Sequence, residues 1–219
     1  MNAIVRYLFA SGICFAAFSA LGSYVSSGPP GRLDLAARAL RGEATQLALF
    51  LTALGYWYVI VPLSAIVGIG TIVSRGRIWI AAGIFVSQIL SQTAVAACKP
   101  LFHRVRPAGF LGPHLPDYSY PSGHAVTSIV YYVSLAAFVA NYANLPRGLR
   151  YAICATLAAC AIGVSWSRLA LGAHYLSDVI GGFTFGLGWM FLQLALLRRF
   201  SRALRFRAEF WSRRADLNR

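Results

Sequence analysis

Pro121-Ser122-Gly123-His124-Ala125-Val126-Thr127-Ser128-Ile129-Val130-Tyr131-Tyr132-Val133-Ser134-Leu135-Ala136-Ala137-Phe138-Val139-Ala140-Asn141-Tyr142 is the stretch on which the fold turns. From Ser122 to Tyr142 it contains no Asp, Glu, Lys or Arg. An apolar run of about 20 residues is long enough to cross a bilayer as a helix. Five more such runs flank it: Ile4–Tyr24, Gln46–Val73, Ile78–Ala97, Leu149–Trp166 and Asp178–Leu197. The expected fold is therefore all-α, an integral membrane bundle of six transmembrane helices.

The composition agrees: 58% of the 219 residues are hydrophobic and only 12% are charged, about half the charge of a soluble domain. The first run follows Arg6 and resembles a signal peptide, but it is long and no small-residue cleavage site clearly follows it. A retained helix is expected. No tandem repeat is visible, so residues 1–219 read as one membrane domain ending in a basic tail at about 198–219.

The formal net charge is +14. Eight arginines (Arg198, Arg199, Arg202, Arg205, Arg207, Arg213, Arg214 and Arg219) directly follow the last run. An anionic cytoplasmic leaflet explains that placement better than nucleic acid does. With the N-terminus inside, 13 basic residues are cytoplasmic and 7 extracytoplasmic. The bias predicts both termini in the cytoplasm and places the polar stretches discussed next on the extracytoplasmic face, toward a periplasm or the exterior. Cys14, Cys98, Cys154 and Cys160 lie in or beside apolar runs at no metal-ligand spacing, so neither a disulfide nor a metal site is expected of them.

Three stretches carry the chemistry: Lys99 with Arg106-Pro107, Pro121 to His124, and Ser167-Arg168 with His174 and Asp178. Cations and imidazoles beside lipid are costly unless an anion meets them, and phosphate is the simplest such anion. His174 and Asp178 are four apart, one helical turn if the last span begins near His174. The carboxylate would fix the tautomer and leave the other ring nitrogen free to attack; alternatively Asp178 only caps the helix. Ser122 and Gly123 open a helix N-terminus suited to anions, or merely start the span. His124 is a candidate proton donor to a leaving oxygen. Lys99, Arg106 and Arg168 suit phosphate oxygens. Snorkelling, solvation and interfacial anchoring are their plainer roles.

The patterns K-x6-R-P (Lys99 to Pro107), P-S-G-H (Pro121 to His124) and S-R-x5-H-x3-D (Ser167 to Asp178) resemble the three signatures of the type 2 phosphatidic acid phosphatase (PAP2) superfamily. That superfamily also includes vanadium haloperoxidases and bacterial acid phosphatases; the spans match its membrane-bound branch. The resemblance implies His174 as a nucleophile forming a phosphohistidine, Asp178 orienting it and His124 protonating the leaving group. Lys99, Arg106, Ser122, Gly123 and Arg168 would bind phosphate. It implies an integral-membrane lipid phosphatase that hydrolyses a phosphate monoester or diphosphate. Undecaprenyl pyrophosphate, phosphatidylglycerophosphate, phosphatidic acid and lipid A 1-phosphate all remain open as substrates. No carboxylate cluster for Mg²⁺ is evident, so metal-independent hydrolysis without a cofactor is expected.

A lipid-to-lipid phosphotransferase would use the same residues. A transporter is the non-enzymatic alternative, with Gln88, Gln92 and Thr93 lining a path or only bonding neighbouring helices. Gly182 and Gly186 read as a close-packing pair. His103, His114 and Asp117 to Tyr120 fall in the loop between the first two signatures, where they either shape the site or are solvated. Leu33–Leu40 reads as an amphipathic helix lying on the membrane or a plain connecting helix.

Overall fold

The computed structural model describes residues 2–73, 78–112, 115–143 and 145–216, with side chains to residue 199. Arg75, Arg77, His114 and Arg219, which entered the readings above, lie outside the described residues, as do the side chains of the other tail arginines beyond Arg199.

Helix α1 (Ala3–Ser26) leads to a short α2 (Arg32–Ala36), which continues as a 3₁₀ turn over Ala37–Leu40. Helices α3 (Thr45–Ala53), α4 (Trp57–Val73) and α5 (Ile78–Phe102) follow. The last three are α6 (Gly123–Tyr142), α7 (Arg147–Ala170) and α8 (Leu176–Asp216). Five are long and apolar enough to span: α1, α5, α6, α7 and the Leu176–Arg199 part of α8. A sixth crossing is made by α3 and α4 together, bent by 52°. The chain is a multi-pass, all-helical membrane protein.

The single run read over Gln46–Val73 is thus broken, at residues 54–56. The His124 ring of α6 sits where a side chain at position 55 would be, so only glycine fits there. A broken helix at membrane depth needs its freed backbone groups satisfied within the protein. The Leu54 carbonyl accepts the Tyr132 hydroxyl at 2.7 Å. Tyr132 belongs to a six-residue π-helical segment inside α6, Ser128–Val133, that apolarity alone does not signal.

In lipid, helices associate through packing and interhelical hydrogen bonds more than through hydrophobicity. Phe9, Ile13, Ile66, Ile69, Trp79 and Ile162 face outward. Inside, the Phe18 ring stacks on Tyr120 (5.3 Å) and meets Phe102 and Phe185 edge-on (5.5 and 5.2 Å); each such pair contributes about 0.5–1.5 kcal/mol. Ser11 of α1 donates to the Gly188 carbonyl of α8 at 2.8 Å. Gln88 donates to Thr127 (2.7 Å), and Gln92 donates to the Gly123 carbonyl (3.1 Å) and to Thr127 (3.2 Å), tying α5 to α6. A Cβ on Gly182 would fall 2.7 Å from that of Ala125, and one on Gly186 2.8 Å from that of Ile129, so this pair seats α8 on α6.

In the Leu33–Leu40 segment Leu33 and Leu35 are exposed while Asp34 is buried. The segment's one acid is turned inward because it has a cationic partner there, described below.

Consecutive spans alternate in direction. The end of α5, the start of α6, the end of α7 and the start of α8 therefore lie on one side. All three polar stretches sit at those four ends.

Candidate active site

Lys99 occupies the last turn of α5 and is 8% exposed, so it does not snorkel to solvent. Its Nζ donates to Asp117 Oδ2 (2.5 Å) and to the Tyr118 carbonyl (2.8 Å). Arg106 reaches in from the following loop. Its Nη2 donates to Asp117 Oδ1 (2.5 Å), its Nε to the Asp117 carbonyl (2.9 Å) and its Nη1 to the Ala173 carbonyl (2.9 Å). One carboxylate, Asp117, thus bridges two of the three candidate phosphate cations. Burial alone would raise the Asp117 carboxyl, but the Lys99 and Arg106 charges and hydrogen bonds outweigh it and hold the pKa at about 2.

Arg168, in the last turn of α7, is only 1% exposed. Its Nη1 donates to Thr52 Oγ1 of α3 at 2.5 Å, and its guanidinium lies 5.7 Å from the Phe110 ring centroid. Helix α7 then stops at Gly172 (φ +68°), where a left-handed residue is needed and glycine takes it without strain. Gly172 N donates to the Leu169 carbonyl (2.9 Å) and Ala173 N to the Arg168 carbonyl (2.9 Å), a Schellman turn. The chain folds back over Arg168 and delivers His174 beside its guanidinium.

His174 therefore precedes α8, which begins at Leu176, and does not share a helical face with Asp178 as the spacing suggested. The turn still brings His174 Nδ1 to 3.5 Å from Asp178 Oδ2, an ion-pair distance longer than a well-formed hydrogen bond. Such bonds are often long before substrate binds. Asp178 is fully buried. Its Oδ2 also accepts from Tyr175 N at 2.8 Å and from the Ser119 hydroxyl, so capping and orienting coexist in one side chain. Oδ1 accepts from Arg104 at 2.5 Å.

The opposite ring nitrogen, His174 Nε2, lies 3.1 Å from Arg106 Nη1. Burial, reinforced by Arg106 and Arg168 and only partly opposed by Asp178, pulls the His174 pKa down to about 3. The imidazole is neutral at ordinary pH.

His124, in the first turn of α6, packs edge-on against Tyr56 with centroids 4.7 Å apart. Ser122 is the residue before that helix but makes no side-chain cap. A cavity of about 250 Å³ is bounded by Lys99, Arg106, Gly123, His124, Arg168 and His174, with Tyr56 and Gln92 on its wall. Seven buried side-chain polar atoms make no hydrogen bond among the described residues, and four lie in or beside this cavity: Ser122 Oγ, His124 Nε2, Arg168 Nε and His174 Nδ1, the last of which faces Asp178. Unsatisfied buried polar atoms are costly, and an anion in the cavity would supply an acceptor to the Arg168 guanidinium. A second cleft, of about 190 Å³, approaches His174 from the side of Arg38 and Arg41.

Residues 76–202 match the model of the PAP2 superfamily. The chain belongs to that superfamily. The PAP2 fold extends beyond the matched residues. The structure superposes on the crystal structure of a transmembrane PAP2 type phosphatidylglycerolphosphate phosphatase from Bacillus subtilis with a TM-score of 0.67 and 26% identity, covering 91% of this chain and 98% of that one. Among curated PAP2 relatives, a lipid A 1-phosphatase of Rhizobium etli is 34% identical over 129 residues, 54% of this chain and 50% of that protein. Phosphatidylglycerophosphatase B of Bacillus subtilis is 28% identical over 144 residues, 65% of this chain and 70% of that protein. The chain thus spans about half the length of the lipid A 1-phosphatase it matches.

The structure brings together all eight candidates: His174, His124, Asp178, Lys99, Arg106, Ser122, Gly123 and Arg168. It adds residues that the PAP2 signatures do not contain. Asp34, Arg104 and Ser119 surround Asp178, Asp117 bridges the cations, and Thr52, Gly55 and Tyr56 come from the broken span. Charge within an otherwise apolar chain was the available signal for Asp34, Arg104 and Asp117. Nothing local signalled Thr52. His103 adopts φ +51° and packs its ring on Tyr118 at 4.8 Å.

Proposed function

We propose that the protein is an integral-membrane lipid phosphatase that hydrolyses a phosphate monoester or diphosphate through a phosphohistidine. The observation that carries the reading is the single cavity in which His174 meets Lys99, Arg106, Arg168 and His124. Lys99 and the two guanidiniums take the phosphoryl oxygens and offset the charge that spreads over them in the transition state. His174 Nε2 attacks phosphorus as the bond to the leaving oxygen breaks, and His124 in its imidazolium form gives a ring proton to that oxygen. Water then attacks the phosphorus and gives a proton to the now neutral His124, and the N–P bond breaks to release phosphate and free His174. Asp178 holds Nδ1 and stabilises the cationic ring while the adduct lasts.

The named activities of the relatives support a phosphorylated lipid as the substrate class. The exposed apolar flanks around the cavity's end of the bundle let such a lipid enter sideways. The arginine distribution supports a site on the extracytoplasmic face with both termini inside.

Phosphate release by the purified protein from a panel of lipid mono- and diphosphates tests the class and ranks the substrates. His174→Ala, purified in folded form, should be inactive on every member. Normal release by that variant would remove the mechanism, and labelled phospholipid in place of free phosphate would identify a transferase.

A further inference from the structure

Arg104 is absent from the signature patterns, and Asp34 precedes the matched residues 76–202 altogether. Both are buried nonetheless, at 6% and 4% exposure. Arg104 Nη1 donates to Asp178 Oδ1 (2.5 Å) and to Ser177 Oγ (2.7 Å), while its Nη2 donates to Asp34 Oδ2 (2.7 Å). Asp34 Oδ1 accepts from Ser177 N (2.9 Å) and Ser177 Oγ (2.7 Å), in the same turn of α8 as Asp178. The guanidinium also lies over the Tyr175 ring, 4.4 Å from its centroid.

A buried charge cluster of this kind is a poor source of stability, since desolvation offsets most of its attraction. What it does supply is orientation. Arg104 claims Oδ1 of Asp178 and so fixes the carboxylate rotation that turns Oδ2 toward His174. Asp34 holds Arg104 from the far side and pins the α8 turn through Ser177.

We infer that Asp34 and Arg104 are positioning residues that act through Asp178 to aim His174, which makes the short segment after α1 part of the catalytic apparatus. The inference rests on the phosphohistidine reading. A phosphorylated ring bears positive charge, and a carboxylate held in one rotamer stabilises it best. At metal sites, outer partners that orient a ligating histidine are typically worth about 10- to 100-fold, and the same scale is expected of groups that aim His174.

The test uses the full chain in detergent with a short-chain phosphatidic acid labelled in its phosphate. Asp34→Asn and Arg104→Lys are each made alone and on Asp178→Asn. Steady-state kinetics are combined with rapid-quench measurement of phosphoenzyme formation, and elution profile and melting midpoint monitor the fold. The expected result is a kcat and a phosphoenzyme formation rate lowered by about 10- to 100-fold, with KM nearly unchanged. On Asp178→Asn the same changes should add little, because the residue they act through is gone. Added guanidinium should partly restore Arg104→Ala.

An unchanged kcat, a change confined to KM, or a full multiplicative loss on Asp178→Asn would overturn the inference. So would loss of folded protein in both Asp34→Asn and Arg104→Lys, which would make the cluster structural. Turnover by His174→Ala would overturn the phosphohistidine reading itself. An inactive His174→Ala beside normal Asp34→Asn and Arg104→Lys would overturn this inference alone.

Discussion

Arg106 Nη1 stands 3.1 Å from His174 Nε2, so the ring nitrogen free to attack faces one of the cations that would hold the phosphate. The guanidinium is itself fixed by the Ala173 carbonyl, one residue before the histidine. The guanidinium and the proposed nucleophile are therefore placed by the same turn, and misplacing one misplaces the other.

Burial, reinforced by this closeness, sets the pH dependence. With its pKa at about 3, against 6.5 for an unperturbed ring, His174 stays neutral and nucleophilic well into the acid range. The limb of kcat/KM due to this group should fall near pH 3, and Arg106→Gln should move it upward by removing repulsion. The unfolded chain protonates this histidine near pH 6.5 and the folded chain does not until about 3. Native stability should therefore drop progressively as pH falls through that window. Melting midpoints across that range should decline less steeply in His174→Asn.

Asp117 occupies the position of an anion between Lys99 and Arg106. With its pKa at about 2 it stays ionised at any working pH and competes with an incoming phosphate. Its side chain is half exposed, where such pairs are worth up to about 1 kcal/mol. Asp117→Asn should lower KM and the inhibition constant of inorganic phosphate by about 2- to 5-fold. A rise in both would show that the carboxylate instead holds the cations in place.

Gly55 leaves room for the His124 ring. Gly55→Ala places a methyl against that ring and should displace it. Misplacement of a catalytic group by about 1 Å can cost about 100-fold, so kcat should fall to that extent in a protein that still elutes as folded. Wild-type kcat in Gly55→Ala would remove His124 from the proton-transfer role.

In the proposed mechanism Lys99, Arg106 and Arg168 would supply the positive charge that a divalent ion supplies elsewhere. Dialysis against EDTA should leave phosphate release unchanged, and added Mg²⁺ should not raise it. Loss of activity on chelation, restored by a divalent cation, would refute metal-independent hydrolysis.

The apolar runs from Ser122 and from Leu149 announce spans because bilayer thickness leaves a helix little freedom of length. The break at Gly55 was hidden, since Gln46–Val73 is largely apolar and the His124 ring that packs against Gly55 lies some seventy positions away. His174 and Asp178 are legible as partners but not as a turn and a helix start, because that turn follows from the left-handed backbone of Gly172 at the end of α7, which a lone glycine in the sequence does not announce. Asp34 was illegible for another reason: a lone acid among leucines suggests a solvated face until Arg104 is found beneath it. Local pattern reports lengths and caps, whereas a buried ion pair between segments 70 positions apart is a property of the assembled bundle.

The alternation of α5 to α8 carries a rule of parity. Lys99, His124, Arg168 and His174 share a face only because each of these helices reverses the one before it. One additional crossing inserted between α5 and α8 would send part of the set to the opposite side of the bilayer, some 30 Å away. Only even numbers of crossings can be added there, and the same holds between α1 and α5, a stretch that brings Asp34 and Thr52 to that face; segments ahead of α1 or beyond α8 escape that arithmetic.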